Sequence, residues 1–322
     1  GFRKKRRRER AVVVSMAKRI LVIGSANIDF IVKTPYVPER GETLVAEGGY
    51  SLMPGGKGAN TAVAVSRLGA QAVFCSRVGD DAYGERLKKI YAENGIDLRF
   101  VRTDKIGQTG LAVVLVEKDG ANRIIVYPGA NLRTSEGDVE SAFTCYPDAV
   151  MAQLESGEDV AVYTSQLAAE EGIPFILDGG GASASFRLNK LQKVDIFSPN
   201  ETETALITGI RPDTLDDCLR ASMAICSQTA VGYVVLKLGA RGCYIYDGKY
   251  CDLIAPFDVQ AVDTTAAGDA FTAALATEFL RTGDITASAR YANAVGALTV
   301  TTAGAINALP TRETVRRFLE QI

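Results

Sequence analysis

Seven residues in the last quarter of the chain have the types and spacing to bind an anion and move a proton. Asp263-Thr264-Thr265-Ala266-Ala267-Gly268-Asp269 leads directly into the helical run Ala270-Phe271-Thr272-Ala273-Ala274-Leu275. Small residues at 266–268 let backbone N–H groups converge at a helix N-terminus, where they lack intrahelical partners and the helix dipole is positive. Asp269 in the first turn has a plainer reading as a dipole-stabilising acid. What points beyond it is Ala266-Ala267-Gly268, because no bulky side chain guards the amides. A carboxylate beside an oxyanion site can deprotonate an alcohol while the amides stabilise a phosphoryl group in transfer.

Four other segments carry polar groups at suggestive spacings. Pro54-Gly55-Gly56-Lys57-Gly58-Ala59-Asn60 is glycine-rich but does not fit G-x-x-x-x-G-K-[ST], so it is no Walker A loop. Consecutive glycines before a helix allow a ligand close to the backbone, with Lys57 and Asn60 as polar reach for a polyol; a tight turn with a solvated lysine is the alternative. Ser25-Ala26-Asn27-Ile28-Asp29 follows an apolar run, where open α/β sheets bind ligands. Asn27 and Asp29 point the same way if the chain stays extended, offering paired bonds to vicinal hydroxyls; a turn-forming pair reads equally well locally. Asn200 and Glu203, three apart at a helix start, can hold a hydrated Mg²⁺ near phosphates, or simply cap the helix. Lys237-Leu238-Gly239-Ala240-Arg241-Gly242 is a glycine-bounded turn that can pass close to a nucleotide or be a plain hairpin.

Composition narrows the chemistry. The 322 residues include no His, which excludes Ser-His-Asp triads, Cys-His pairs, His-ligated zinc and a His base. Proton transfer must fall to Asp, Glu, Lys, Tyr or Cys. Six scattered cysteines (Cys75, Cys145, Cys218, Cys226, Cys243, Cys251) form no C-x-x-C pair and read as reduced thiols of a cytoplasmic protein. Residues 1–15 form a basic leader, with seven Lys or Arg between Gly1 and Arg10 and one acid, Glu9. It is read as a disordered or extra segment before a natural start at Met16. Lys18 and Arg19 interrupt the apolar run that follows, against a signal peptide or membrane span. Without the leader, 29 basic residues face 37 acidic ones, a poor balance for a partner of nucleic acid.

The elements that must position these groups alternate. Buried strands are expected at Ile20–Ile23, Ala72–Cys75, Val150–Leu154, Pro174–Leu177, Val194–Phe197 and Tyr233–Leu236. Helices are expected at Gly58–Leu68, at Ala82–Asn94 (stopped by Gly95), and at about 268–282, 286–302 and 311–321. Such alternation predicts a mostly parallel sheet with helices on both faces. Residues 29–52 and about 98–128 carry short β segments without helices between them, and are read as a small separate sheet that serves as a lid.

In this order the segments resemble the ribokinase-like (PfkB) family of carbohydrate kinases, over about Lys18 to Ile322, with residues 16–322 as one kinase domain. Gly55–Asn60 and Asp263–Asp269 carry the resemblance in combination. It implies a three-layer α/β/α fold with a β-sheet lid, ATP as co-substrate with Mg²⁺, and K⁺ as an activator. Asp269 would be the base, and Ala266, Ala267 and Gly268 the anion hole. Asn27, Asp29, Gly55, Gly56, Lys57, Asn60 and Glu155 would hold the sugar. Asn200 and Glu203 would organise phosphates and water-bound Mg²⁺, and Lys237, Gly239, Gly242 and Asn293 would border the nucleotide. Asp263, Thr265, Thr299, Thr302, Gly304 and Ala308 would form a monovalent-cation loop. Three positions and one segment depart from the family pattern: Ala308 stands for a serine, Thr61 for a glutamine, Lys237 for a small hydroxyl residue, and Asp178-Gly179-Gly180-Gly181-Ala182 for Asn-Pro-Ala-Pro-Ala.

The resemblance implies phosphorylation of the primary hydroxyl of D-ribose. Fructose, 2-keto-3-deoxygluconate or a nucleoside are alternative substrates, and a catalytically silent sugar-binding regulator is an alternative of another class. No nucleic-acid or membrane partner is expected. The open edges of the lid sheet predict a homodimer through the lid.

Overall fold

The computed structural model describes residues 17–46, 48–118 and 121–321; the basic leader and Met16 lie outside them. Strand β1 (Arg19–Ile23) buries Ile20 and Val22 on one face and Leu21 and Ile23 on the other. Period-two alternation with every residue apolar is what a strand covered on both sides requires. β4 (Gln71–Gly79) and β8 (Ala149–Ala152) flank it in parallel. The sheet continues through β9 (Phe175–Asp178), β10 (Val194–Ser198) and β11 (Val231–Lys237), all parallel. It ends in an antiparallel pair, β12 (Cys243–Tyr246) and β13 (Cys251–Ile254). The order β13-β12-β11-β10-β9-β8-β1-β4-β5, with β5 (Asp97–Asp104) beside β4 at the far edge, makes nine strands. The chain starts in the middle, winds to one edge, and returns to the other side of β1. The crevice between β1 and β8 is therefore the topological switch point, above which ligands bind.

Helices cover both faces. On one lie α1 (Lys57–Arg67), α2 (Ala82–Glu93), α7 (Ala267–Thr282) and α8 (Ile285–Val300), packing Val63, Leu87, Tyr91, Leu275 and Val295 against Val22, Phe74 and Met151. On the other, α3 (Glu136–Phe143), α4 (Glu158–Glu171) and α6 (Leu215–Cys226) bring Val139, Val160, Ala168 and Ile225 onto Leu21, Val150, Leu177 and Val234. α9 (Arg312–Glu320) closes the chain. Gly95, with φ 74°, follows α2 in the left-handed conformation expected of it.

The second sheet has the order β3-β2-β6-β7: β2 (Asn27–Lys33), β3 (Tyr50–Gly55), β6 (Gly110–Val116) and β7 (Asn122–Tyr127). One expected boundary is corrected. Within the segment read as lid from about residue 98, β5 (Asp97–Asp104) is instead the parallel edge strand of the large sheet, and the small sheet takes only β6 and β7. Phe100 at the centre of β5 is buried against the large core, a packing that local alternation could not distinguish from a separate sheet. The strand expected to reach Leu154 stops at Ala152. No described helix is long and apolar enough to cross a membrane.

Candidate active site

Asp269 sits in the first turn of α7 and is buried, at 5% exposure. Ala266, the residue before the helix, has φ 61° and ψ 2°, a left-handed conformation that costs a non-glycine residue roughly 1–2 kcal/mol. A strained residue at this point turns the chain so that α7 opens toward the cleft. No side chain caps the N-terminus of α7, and Ala267 N makes only a long 3.3 Å bond to Thr264 O, so a ligand can draw on the first amides of the helix. Burial raises the Asp269 carboxyl from 3.8 to about 6; Lys57 pulls it down and Asp178 pushes it up. A carboxylate with that affinity is ionised at neutral pH yet holds a proton well, as a general base must.

Two residues from the glycine-rich segment reach Asp269. Asn60 Nδ2 donates to Asp269 Oδ2 at 2.8 Å, while its own Oδ1 is buried with no protein partner. Lys57 Nζ lies 3.9 Å from Asp269 Oδ1. Asp269 foremost, with Glu155, Asp178 and Glu203, holds the Lys57 ammonium above the usual lysine range. The segment reaches this far because α1 starts against β1. A Cβ on Gly58 would stand 2.4 Å from the Gly24 carbonyl carbon and 2.5 Å from Ser25 N, and Gly56 has φ 92°.

Asn27 and Asp29 lie on β2, where extended backbone puts both on one face. A Cβ on Gly55, at the end of β3, would fall 2.3 Å from Asp29 Oδ2, so the glycine makes room for that carboxylate. Burial, with Glu155 and Asp269 nearby, raises Asp29 to about 6. Glu155 follows β8; its Oε2 accepts from Ser25 Oγ at 2.5 Å and from Lys57 N at 3.3 Å. Asn27, Asp29, Gly55, Gly56, Lys57, Asn60 and Glu155 thus gather at the switch point beside Asp269.

Beyond Asp269, a cavity of about 570 Å³ is lined by Lys237, Gly239, Gly242, Asn293, Ala267 and Gly268, with Phe257, Val259, Ala297 and Val300 as its apolar wall. Gly239 and Gly242, with φ 56° and 88°, bound a short turn between β11 and β12. Asn293 Nδ2 donates to Ile254 O at 3.1 Å and Ala255 O at 3.0 Å, so it pins the cavity wall. Asn200 and Glu203 form a full capping box on α5 (Glu201–Thr208): Glu203 N donates to Asn200 Oδ1, and Asn200 N to Glu203 Oε2. The capping alternative is therefore present, and burial still raises the Glu203 carboxyl against the pull of Lys237.

Asp263, Thr265 and Gly304 meet. Asp263 Oδ1 accepts from Thr265 N and Oγ1, at 2.9 and 2.6 Å, and Oδ2 from Gly304 N at 2.8 Å. Thr299 is fully buried with its hydroxyl on Val295 O, Thr302 is exposed, and Ala308 ends a short 3-10 turn. The side-chain oxygens of these six residues are those of Asp263, Thr265, Thr299 and Thr302, with none from Ala308.

Sequence reasoning missed Asn131. Its Oδ1 accepts from Ala26 N at 2.8 Å, and its Nδ2 donates to Asn27 Oδ1 at 2.7 Å, fixing the junction between the sheets. Nothing in its local sequence marks it, because its partners lie more than a hundred residues away. Asp178 was noticed only as a departure; it is buried on Lys237 and Thr272.

A doubly wound sheet with a second small sheet, and a buried carboxylate in the first turn of a helix with no side-chain cap, form the arrangement of an ATP-dependent sugar kinase. The model of the pfkB family of carbohydrate kinases matches residues 17–312, and the chain belongs to that family. It is similar to the ribokinase of Haemophilus influenzae (34% identical over 307 residues, covering 95% of this chain and 99% of that one). It is 30% identical to the deoxyribokinase of Salmonella typhi over 302 residues, 93% of this chain and 98% of that one. Among solved structures, Arabidopsis thaliana ribokinase complexed with ribose and ATP superposes with a TM-score of 0.87 at 33% identity, covering 95% of this chain and 99% of that one.

Proposed function

We propose that the chain transfers the γ-phosphoryl group of ATP to the primary hydroxyl of D-ribose, giving ribose 5-phosphate and ADP. The observation that carries this is the position of Asp269, between the polar recess around Asn27, Asp29, Asn60 and Glu155 and the amides that open into the 570 Å³ cavity. The sugar hydroxyl gives its proton to Asp269 as its oxygen attacks phosphorus. The amides of Ala266, Ala267 and Gly268 receive the charge that gathers on the phosphoryl oxygens. Asn60 Oδ1, buried without a protein partner, is the acceptor for a sugar hydroxyl, and Asn27, Asp29 and Glu155 take the others. Adenosine fits the cavity wall of Phe257, Val259, Ala297 and Val300, with Gly239, Gly242 and the Asn293-pinned segment at its border.

A magnesium ion would keep most of its waters and rest on substrate phosphates. Glu203, through water, with Asn200 beside it, would hold it there; when bound it neutralises phosphate charge. Potassium would lie at Asp263, Thr265, Thr299, Thr302, Gly304 and Ala308, largely on carbonyl oxygens. Its activation is tested by comparing rates in potassium and in a large organic cation: equal rates refute it. β7 presents Ile125 at 69% and Tyr127 at 50% exposure, a surface for a second copy of the chain. Sedimentation should show a dimer, and a monomer at assay concentration overturns it. The buried free thiols fit a cytoplasmic location.

Fructose, 2-keto-3-deoxygluconate and nucleosides are the competing substrates. Asp269→Asn tests the base: kcat should fall about 10²–10⁴-fold with the sugar Kd nearly unchanged. Undiminished turnover removes Asp269 from that role, whereas no turnover of any sugar by the wild-type protein revives a sugar-binding regulator.

A further inference from the structure

The floor of the nucleotide cavity holds a buried ion pair to which the chemistry above gives no task. Lys237 ends β11 and Asp178 ends β9, so both side chains rise from the same carboxyl edge of the sheet, with β10 between them. Lys237 Nζ and Asp178 Oδ2 are 2.5 Å apart, and the residues are 9% and 3% exposed. Thr272 Oγ1, one turn into α7, donates to the same Oδ2 at 2.5 Å and lies 3.4 Å from Lys237 Nζ. Gly180 N donates to Asp178 Oδ1 at 2.9 Å. The carboxylate is thus surrounded by donors and neutralised. The ammonium spends two of its three protons on Asp178 and Thr272, and the third remains for the cavity that Lys237 lines.

What lies in that direction is the anion site. Lys237 Nζ is 3.6 Å from the point where a Cβ on Gly268 would stand, so the missing side chain leaves ammonium and amide on one shared space. A pair kept only for stability is hard to justify here, because buried ion pairs gain little over well-packed neutral residues. A fixed charge beside the place where negative charge develops is worth far more in a dry cleft than in water.

We propose that Lys237 is a catalytic contact to the phosphoryl group in transfer, and that Asp178 is the positioning residue that holds its ammonium against the anion hole before nucleotide arrives. The inference rests on the kinase reading and deepens it. As the sugar oxygen forms its bond to the γ-phosphorus, its proton passes to Asp269. The bond from that phosphorus to the β,γ-bridging oxygen breaks, and its electron pair leaves on ADP. The oxygens of the moving group are met by the amides of 266–268 and by Lys237, while Lys57 stays with Asp269 on the sugar side.

The test is steady-state kinetics on Lys237→Met, Lys237→Arg, Asp178→Asn and the Asp178→Asn/Lys237→Met pair, with ATP affinity measured by calorimetry and folding by denaturation. Lys237→Met should lower kcat about 10²–10³-fold, the scale of one lost oxyanion donor, with a much smaller change in ATP Kd. Lys237→Arg should recover part of kcat. Asp178→Asn should also lower kcat, and the double variant should be no slower than Lys237→Met, because Asp178 acts through the ammonium. The double variant leaves no unpaired buried charge, so it remains readable if Lys237→Met does not fold. A folded Lys237→Met or double variant with near wild-type kcat overturns the proposal, as do single losses that multiply in the pair. Wild-type turnover separates the two ideas: no turnover of any sugar overturns the kinase reading and this proposal with it, whereas a failure confined to the variants overturns the proposal alone.

Discussion

Asn60→Leu tests whether the carboxylate that titrates in catalysis is Asp269. The substitution is nearly isosteric and removes the 2.8 Å bond from Asn60 Nδ2 to Asp269 Oδ2. A hydrogen bond to a charged group contributes about 1.5–3 kcal/mol. At 1.36 kcal/mol per pKa unit, its loss should raise Asp269 by roughly one to two units. The wild-type carboxyl stands at about 6, so the acid limb of kcat/KM should move from near pH 6 to roughly 7–8. The direction is fixed: the base works ionised, so raising its pKa extends the inactive range upward. Asp29 titrates in the same region, also near 6. It has no bond to Asn60, and a limb that belonged to Asp29 would stay in place or fall slightly as Asp269 lost its charge. The assay is coupled ADP release from pH 5 to 9 at subsaturating sugar. An unmoved limb in a folded Asn60→Leu protein refutes the assignment.

Two further outcomes follow from the same geometry. Gly58→Ala should destabilise the fold by about 3 kcal/mol, near the top of the usual overpacking range, because its Cβ would meet the backbone of Gly24 and Ser25 within 2.6 Å; denaturant unfolding within 0.5 kcal/mol of wild type, roughly the scatter of harmless surface changes, would contradict that packing. Asp269→Asn should be more stable than wild type at pH 8. The native carboxyl sits near 6 against an ordinary 3.8, so its favourable contribution is present below 3.8 and lost as pH rises through 6. That loss is about 3 kcal/mol, and the stability gap should shrink as pH falls from 8 to 5. A gap independent of pH would show that the carboxyl is not desolvated.

Much of the fold was legible because buried parallel strands are nearly all apolar and the helices between them end on plain signals, as at Gly95. The error at β5 shows where such reasoning fails. The short apolar stretch Leu98, Phe100 and Val101 reads locally like a lid strand, and only its parallel pairing with β4, with Phe100 in the core that holds Cys75 and Leu98 and Val101 against the opposite one, assigns it to the large sheet. The site divides in the same way. Asp269, Lys57 and Asn60 stood in motifs whose small residues betrayed close backbone approach, and only the family resemblance put the two motifs at one site. The 2.8 Å bond between Asn60 and Asp269 spans 209 residues and could not be expected from sequence. Asn131 and the Asp178–Lys237 pair are likewise products of topology. The strand order brings the ends of β9 and β11 to one edge, and no local pattern announces a partner 59 residues away.

Phosphorylation of ribose in this cleft is tested most directly by ADP release over a sugar panel. With ATP and Mg²⁺, D-ribose should give the highest kcat/KM among ribose, deoxyribose, fructose, 2-keto-3-deoxygluconate and nucleosides, and phosphorus NMR should show ribose 5-phosphate. ADP release no faster with any sugar than with ATP alone would contradict the account, and a preference for another member of the panel would contradict its choice of substrate.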